Sequence, residues 1–530
     1  MADRYEVVIV GGGPVGLALA VELGQRGIST LLVERHLEPQ RIPKGQGLTA
    51  RTLEHFYFWN CADELRAARL LPVGYPIGSL TAYNDLMGEY WFVAEPPIGR
   101  GGGTSFYFQA NERPPQYLTE QVLRNRLAGL PNVQMRFGHS AKAFEQDGNG
   151  VRITIAGEGW PYEEQVVEAD YLVGCDGVRS MVRETLGIDR GGENFDQRMV
   201  LAVFRSRELH EGLKRFPEVT TYRVLKPELQ GYWQFFGRID VGEGWFFHAP
   251  VPRDTSPDNY DFLSLIQQAA GFKFNAEFDH VGFWDLRIQV ATRYQHGRVF
   301  IAGDACHSHP PYGGFGLNAG LEDVANLGWK LAAVIQGWGG PGLLASYTEE
   351  RQPIFAETGE ALISGWIEKD KAILDRYRPD RDQAAFEAAW KQLATTASQQ
   401  SSEPYYEGSS VVLGPPGTAC TIHGQHTQAA LPGHHLTPQL LSTGKNVYEA
   451  LGSSFTLIAL SAAEQSVRAF EQAAESLHVP LKVIHDSYEG ERQAYGTRLI
   501  LVRPDQYVCW SGNEGPRDPV AVLRNVVGLL

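Results

Sequence analysis

Four branched apolar residues, Val7-Val-Ile-Val10, run straight into Gly11-Gly-Gly13-Pro14-Val-Gly16. An apolar helical run follows (Leu17, Leu19, Ala20, Leu23), then a second strand-like run, Thr30-Leu-Leu-Val33, closed by Glu34 and Arg35. No other stretch constrains the fold as strongly, because a buried strand, a glycine turn, a helix and a second strand make a βαβ unit. Each glycine has its own task. Gly11 permits the tight turn, Gly13 lets the backbone approach a pyrophosphate, and Gly16 lets helix and strand pack closely. Glu34 stands where a carboxylate accepts hydrogen bonds from ribose hydroxyls. The motif predicts a dinucleotide site and leaves NAD and FAD both open.

A chain of 530 residues is too long for one core, so two or three domains are expected. Hydrophobic content of 43% and charged content of 21% fit a soluble globular protein. A net charge of −15 argues against a nucleic-acid partner, since phosphate binding needs a basic surface. No apolar run is long enough to span a bilayer, and the strand pattern starting near Tyr5 leaves no room for a signal peptide. The expectation is a cytoplasmic protein without membrane contact. Five scattered cysteines (Cys61, Cys175, Cys306, Cys420, Cys509) form no CxxC pair, which fits reduced thiols rather than disulfides or a zinc site. No metal is expected.

Two further strand-like runs end in glycine-and-acid turns. Ala169–Gly174 leads into Cys175-Asp176-Gly177, and Arg298–Ala302 leads into Gly303-Asp304. The second continues through Pro310-Pro311 to Gly316-Leu317-Asn318, and a helix is expected from about Ala319. Such a loop brings main-chain N–H groups and a helix N-terminus against an electron-rich ligand. Arg51 and Gln121 read on their own as solvated helix residues. Between 195 and 290, aromatic residues crowd β-like runs, with Tyr222, Tyr232, Gln234, His248, Asp285 and Arg287 among the polar members. This is the pattern of an antiparallel sheet, and it also suits a pocket for a flat organic substrate. Gln399–Ser402 and Gly414–Gly417 bracket a linker to a last domain of order βα…ββα.

The three motifs in this order resemble the flavin-dependent aromatic hydroxylases, the single-component FAD monooxygenases that include p-hydroxybenzoate and phenol hydroxylases. The resemblance covers roughly residues 4 to 370, and the tail around Leu501-Val-Arg-Pro-Asp505…Trp510 is similar to their thioredoxin-like C-terminal domain. It implies an α/β fold: a Rossmann-type FAD-binding domain (1–185 and 291–370), an antiparallel substrate sheet (186–290), a helical linker (371–410) and a thioredoxin-like domain (411–530). By the same resemblance, Gly11, Gly13, Pro14 and Gly16 hold the FAD pyrophosphate and Glu34 with Arg35 the adenosine end. Arg51 and Gln121 contact phosphates and ribityl chain, and Asp176 serves FAD and NAD(P)H. Gly303 and Asp304 meet the ribityl chain, while Pro311, Gly316, Leu317 and Asn318 surround the flavin ring. A homodimer is also implied.

The implied reaction is reduction of FAD by NADPH or NADH, addition of O2 to give a flavin C4a-hydroperoxide, and oxygen transfer to a phenolic ring. Other oxygen chemistry on the same scaffold, Baeyer–Villiger insertion or epoxidation of a polyketide-like aromatic, is the alternative. Three departures matter. Phenol hydroxylase carries a catalytic aspartate where this chain has Gln46, so His248, Asp285 and Arg287 are the candidates for the proton chemistry. The strand around Gln234 lacks the arginine that binds a benzoate carboxylate, which favours a neutral or larger phenolic substrate touching Tyr222, Tyr232 and Gln234. Many relatives place Gln or Lys where Phe315 stands.

Overall fold

Asp3–Val10 lies inside a parallel sheet, paired with Thr30–Glu34 on one side and Glu164–Gly174 on the other. The computed structural model describes residues 3–94, 105–157, 164–397 and 403–530; the expected linker segment Gln399–Ser402 lies outside them. Val7, Val8 and Ile9 are wholly buried, as a strand covered on both faces requires. The strand Val299–Ile301 pairs in parallel with Glu164–Gly174, and Gly174 faces both Val10 and Ile301 in register. The three glycine-bearing turns therefore leave the same edge of the sheet, side by side, at the carboxyl ends of its strands, where ligands bind in open α/β sheets. The helix Pro14–Gln25 crosses close to Phe315–Ile335: a Cβ on Gly328 would stand 2.4 Å from Glu22 Cγ.

The second large sheet runs in the order His307–Ser308, Glu277–Ala291, Arg190–Arg205, Gly244–Val251, Gln234–Arg238, Thr221–Leu225, Ser79–Tyr83, Trp91–Ala94. It reaches beyond the 186–290 expectation at both ends, because Ser79–Tyr83 joins in parallel register with Thr221–Leu225. One face packs on the buried aromatic cluster of Phe204, Tyr222, Phe236, Trp245 and Phe247. The other face packs on Ile367, Leu374, Phe386 and Trp390 and contributes Leu201, Arg223, Phe235 and His248 to a cavity.

The helix expected from Ala319 begins at Phe315. Gly313 and Gly314 take left-handed φ values of +72° and +68°, which only glycine adopts cheaply, and so the chain enters the helix four residues earlier. In the C-terminal domain, Phe455–Leu460 pairs in parallel with Leu481–Asp486 and antiparallel with Leu499–Val502, which pairs with Val508–Gly512. With helices Glu464–Ser476 and Pro519–Val526 this is the thioredoxin-like arrangement. A buried ionic joint ties it to the rest: Arg503 donates to both oxygens of Glu350 at 2.6 and 2.9 Å, and Lys330 Nζ donates to the same carboxylate at 2.7 Å. No described helix is long and apolar enough to cross a membrane.

Candidate active site

A cavity of about 1240 Å3 is lined both by the carboxyl edge of the parallel sheet and by one face of the second sheet. Its first wall is the opening glycine turn. Gly11 has φ +106°, and a Cβ there would lie 2.3 Å from the Cys175 carbonyl oxygen. At Gly16 the Cβ would lie 1.9 Å from the Gly11 oxygen. Both glycines serve close packing of protein on protein. Gly13 differs: a Cβ would meet nothing within 4 Å, and Gly13 and Pro14 line the cavity, leaving a bare backbone cradle for a ligand. Glu34 closes its strand just outside the lining, its carboxylate accepting from the N–H groups of Gly12 and His36 at 2.7 Å each; Arg35 beside it is exposed.

The second wall is the 303–318 loop. The Gly303 N–H donates to Asp323 Oδ2 at 3.1 Å, which leaves Asp304 free to face the cavity without a hydrogen-bond partner among the described residues. The protein around it pushes the Asp304 carboxyl upward by desolvation, against the pull of His307, Lys44 and Arg190. Pro311, Gly316, Leu317 and Asn318 line the same space. The Asn318 side chain pins the neighbouring loop: it donates to the Gly47 carbonyl at 2.8 Å and accepts from the Thr49 N–H at 2.9 Å.

Two expected contacts lie elsewhere. Arg51 is spent on ion pairs with Glu322 and Glu54 and on a 2.7 Å hydrogen bond to the Asp505 carbonyl, so its guanidinium joins domains instead of lining the cavity. Gln121 sits on the outer face of Gln116–Leu127 and donates to Asn125 at 2.9 Å. Lys44 and Gln116 line the cavity instead. With them come Gln46, Asn111 and Arg113, drawn together because Leu48 and Glu112 exchange backbone hydrogen bonds. No periodicity in the sequence marks this pairing. Asp176 also stands back from the lining: it accepts from the Val182 N–H at 3.1 Å, and desolvation raises its carboxyl, while Gly177 and Arg179 face the cavity.

The third wall is a row across the second sheet. Thr81, Arg223, Phe235, His248, Leu201 and Gly282 are register partners in turn, and all six line the cavity. Strand neighbours alternate faces, and this corrects the substrate expectation. Tyr222 is 1% exposed in the opposite aromatic core, with its hydroxyl accepting from Arg238. Gln234 likewise points away, and Tyr232 is outside the lining. Their neighbours Arg223, Trp233 and Phe235 are the ones that face the cavity.

Two family models match this chain: "FAD binding domain" over residues 4–361 and "Aromatic-ring hydroxylase, C-terminal" over residues 429–529. The chain belongs to the FAD-dependent aromatic-ring hydroxylases. It is 31% identical to a 12-dehydrotetracycline 5-monooxygenase/anhydrotetracycline 6-monooxygenase of Streptomyces rimosus subsp. rimosus, over 97% of this chain and 98% of the relative. It is 29% identical to a 4-methyl-5-nitrocatechol 5-monooxygenase of Burkholderia sp, over 98% and 96% respectively. The ternary complex of aklavinone-11 hydroxylase with FAD and aklavinone superposes with a TM-score of 0.80 at 26% identity, covering 99% of this chain and all of that one.

The residues of this hydroxylase fit FAD. The Gly13 cradle is open, and among the described residues Asp304 is unpaired and buried polar atoms of Gln46, Asn111 and Arg113 that adjoin the cavity lack a partner. Arg113 has no carboxylate beside it among the described residues, and burial lowers it to about 10, so an anion would relieve its desolvation. The catalytic candidates His248, Asp285 and Arg287 all line the cavity. Burial takes His248 down to about 3, so its imidazole is neutral, and its Nδ1 already accepts from Trp284 Nε1 at 3.3 Å. Asp285 and Arg287 pair with each other at 3.0 Å, both well exposed. A histidine not foreseen, His309, has a freer nitrogen. Its Nδ1–H donates to the Pro310 carbonyl at 2.7 Å, which leaves Nε2 as a lone-pair acceptor, buried and unpartnered. Burial lowers this imidazole to about 4.

Proposed function

We propose that this chain uses FAD, NADPH or NADH, and O2 to hydroxylate an activated, phenol-like ring on a substrate of more than one ring. The observation that carries the reading is one continuous cavity, about 1240 Å3, reaching from Gly13 past Asp304 and Pro311 to Arg223, Phe235 and His248. A small-molecule pocket usually holds roughly 300–1,000 Å3, so this one suits a cofactor and an extended substrate together. The relatives acting on 12-dehydrotetracycline and aklavinone support the multi-ring substrate.

Bound FAD supplies hydride acceptance and oxygen activation; the chain's own residues do the rest. Gly13 and Pro14 would leave room for the pyrophosphate, and the Asp304 carboxylate would accept from ribityl hydroxyls. Lys44, Gln116 and Arg113 replace Arg51 and Gln121 as the polar contacts. The first turn of Phe315–Ile335 faces the cavity with unsatisfied N–H donors, which favour negative charge by about 0.3–1 kcal/mol or more when buried. Leu201, Phe235 and Phe246 keep that region dry. The neutral His309, whose Nε2 has no partner among the described residues, would accept a hydrogen bond from the phenol hydroxyl and orient it.

A screen of phenols, naphthols and anthraquinone-type aromatics for stimulated NAD(P)H oxidation, with product identification under 18O2, tests the reading. One labelled oxygen on a ring carbon is expected. Label inserted into a ring or found in an epoxide would replace hydroxylation with the alternative chemistry, and no stimulation by any aromatic would end the proposal.

A further inference from the structure

The cation missing from the strand around Gln234 is supplied one strand away. Arg223 stands in the cavity-facing row, with Nε donating to Thr81 Oγ1 at 3.1 Å and Nη1 to Asp370 Oδ2 at 3.2 Å. The same Oδ2 accepts from Trp233 Nε1 at 2.8 Å, and the Arg223 guanidinium carbon lies 4.4 Å from the centre of the Trp233 ring. Two sides of the fork and one of its faces are thus fixed. Nη2 has no hydrogen-bond partner among the described residues, and the 15% of the side chain that remains exposed opens on the cavity. Asp370 balances Arg223, but Lys369, next in the chain, also lines the cavity and among the described residues bonds to the neutral Thr396 hydroxyl, at 3.0 Å. Among the described residues, Arg223, Lys369 and Asp370 together carry one positive charge in excess.

We propose that Arg223 is a substrate-recognition residue, receiving an ionised oxygen (a carboxylate or an enolate) carried by a multi-ring aromatic substrate. A fork held on three sides with one donor edge presented to a cavity has the geometry for an oxyanion, which an ammonium would meet only as a point charge. Spacing sets the size of the substrate. Trp233 stacks at 4.4 Å on Tyr312, the residue after Pro311, so an acidic group on Arg223 and a ring at the 311–318 loop lie on opposite sides of a Trp–Tyr stack. A substrate touching both must be extended. The structural alternative, in which Arg223 only ties the sheet to the helix Gly365–Arg376, predicts no preference between acids and their neutral analogues.

This inference rests on the monooxygenase reading of the same cavity. The test uses the full, FAD-loaded chain with 1,4-dihydroxy-2-naphthoate and its methyl ester, followed by perturbation of flavin absorbance. A charge-assisted hydrogen bond makes the acid bind about 10- to 100-fold tighter than the ester. Arg223→Gln should bring that ratio close to one while leaving ester affinity largely unchanged. Asp370→Asn removes the competing carboxylate and should tighten acid binding, a gain that no loss of packing produces. Equal affinity of acid and ester in the unaltered chain, or equal weakening of both by Arg223→Gln, overturns this inference alone. Binding of neither ligand, with no aromatic stimulating NAD(P)H oxidation, overturns the monooxygenase reading with it.

Discussion

His307 Nε2 donates to Asp323 Oδ2 at 2.6 Å, with both side chains wholly buried. The same carboxylate accepts from the Gly303 N–H and, through Oδ1, from Arg351 Nε at 2.9 Å. One acid on the long helix therefore sets the path of the loop that carries Asp304. Burial alone would raise Asp323, but His307 and Arg351 outweigh it and hold the carboxyl below its usual range. Asp323→Ala leaves a buried arginine uncompensated and is expected to cost about 3–5 kcal/mol, read by urea unfolding. Because the folded value is depressed, the stabilisation is complete above the unfolded value of about 3.9 and is lost as pH falls through the folded one.

The glycines of the opening turn separate fold from ligand. Gly16→Ala drives a Cβ to 1.9 Å from a main-chain oxygen and should yield a chain that is unstable and colourless. Gly13 has φ −71° and open space around its Cβ position, so Gly13→Ala should keep its melting temperature and lose FAD affinity. Thermal melts beside the flavin-to-protein absorbance ratio check both.

His248 should stay neutral throughout the working range. Burial depresses it from 6.5 to about 3, so the unfolded chain binds more protons between these values and stability rises with pH across that window. The unfolding free energy of the unaltered protein relative to His248→Gln should fall as pH drops from 6.5 toward 3. A pH–rate profile that keeps its acid limb in His248→Gln would agree.

His309→Asn removes the open Nε2 beside Gly316. Flavin content should hold, while hydroxylated product per NAD(P)H falls and turnover drops by about 10-fold, the scale of a lost hydrogen bond. Stopped-flow reduction of the flavin should be unchanged, which places the defect after cofactor binding.

Lys330 is buried against Glu350, and burial lowers it from 10.5 to about 8. The folded state gives up this proton first, so the lysine's cost to stability is complete below pH 8 and relaxes as pH rises to about 10.5. The unfolding free energy of the unaltered protein should gain on that of Lys330→Met across this window.

The fold was readable wherever local pattern and backbone need coincide. The buried run Val7–Val10, followed by Gly11 and Gly16, neither of which has room for a Cβ, marks its βαβ unit without outside help, and the order of three such turns points to the family. The ligand side chains were less legible, for two reasons. Facing is decided by register, so composition points to Tyr222 and Gln234 where Arg223 and Phe235 face the cavity, one residue off in a pattern of period two. Arg51 has the composition of a phosphate contact, but its ion pair to Glu322 depends on a helix 271 residues away. Arg113 and Gln46 meet only because two loops pair at Leu48 and Glu112, which no single stretch encodes.

The joint made by Arg51, Glu322, Glu350 and Arg503 gives the C-terminal domain a role that its lack of a cysteine pair hides. Removing residues 411–530 would deprive Glu350 of Arg503 and Arg51 of the Asp505 carbonyl, opening charges meant for a dry interior. The domain supplies the charges that balance Glu350 on the helix Pro341–Glu357, and the two parts share one buried ionic network.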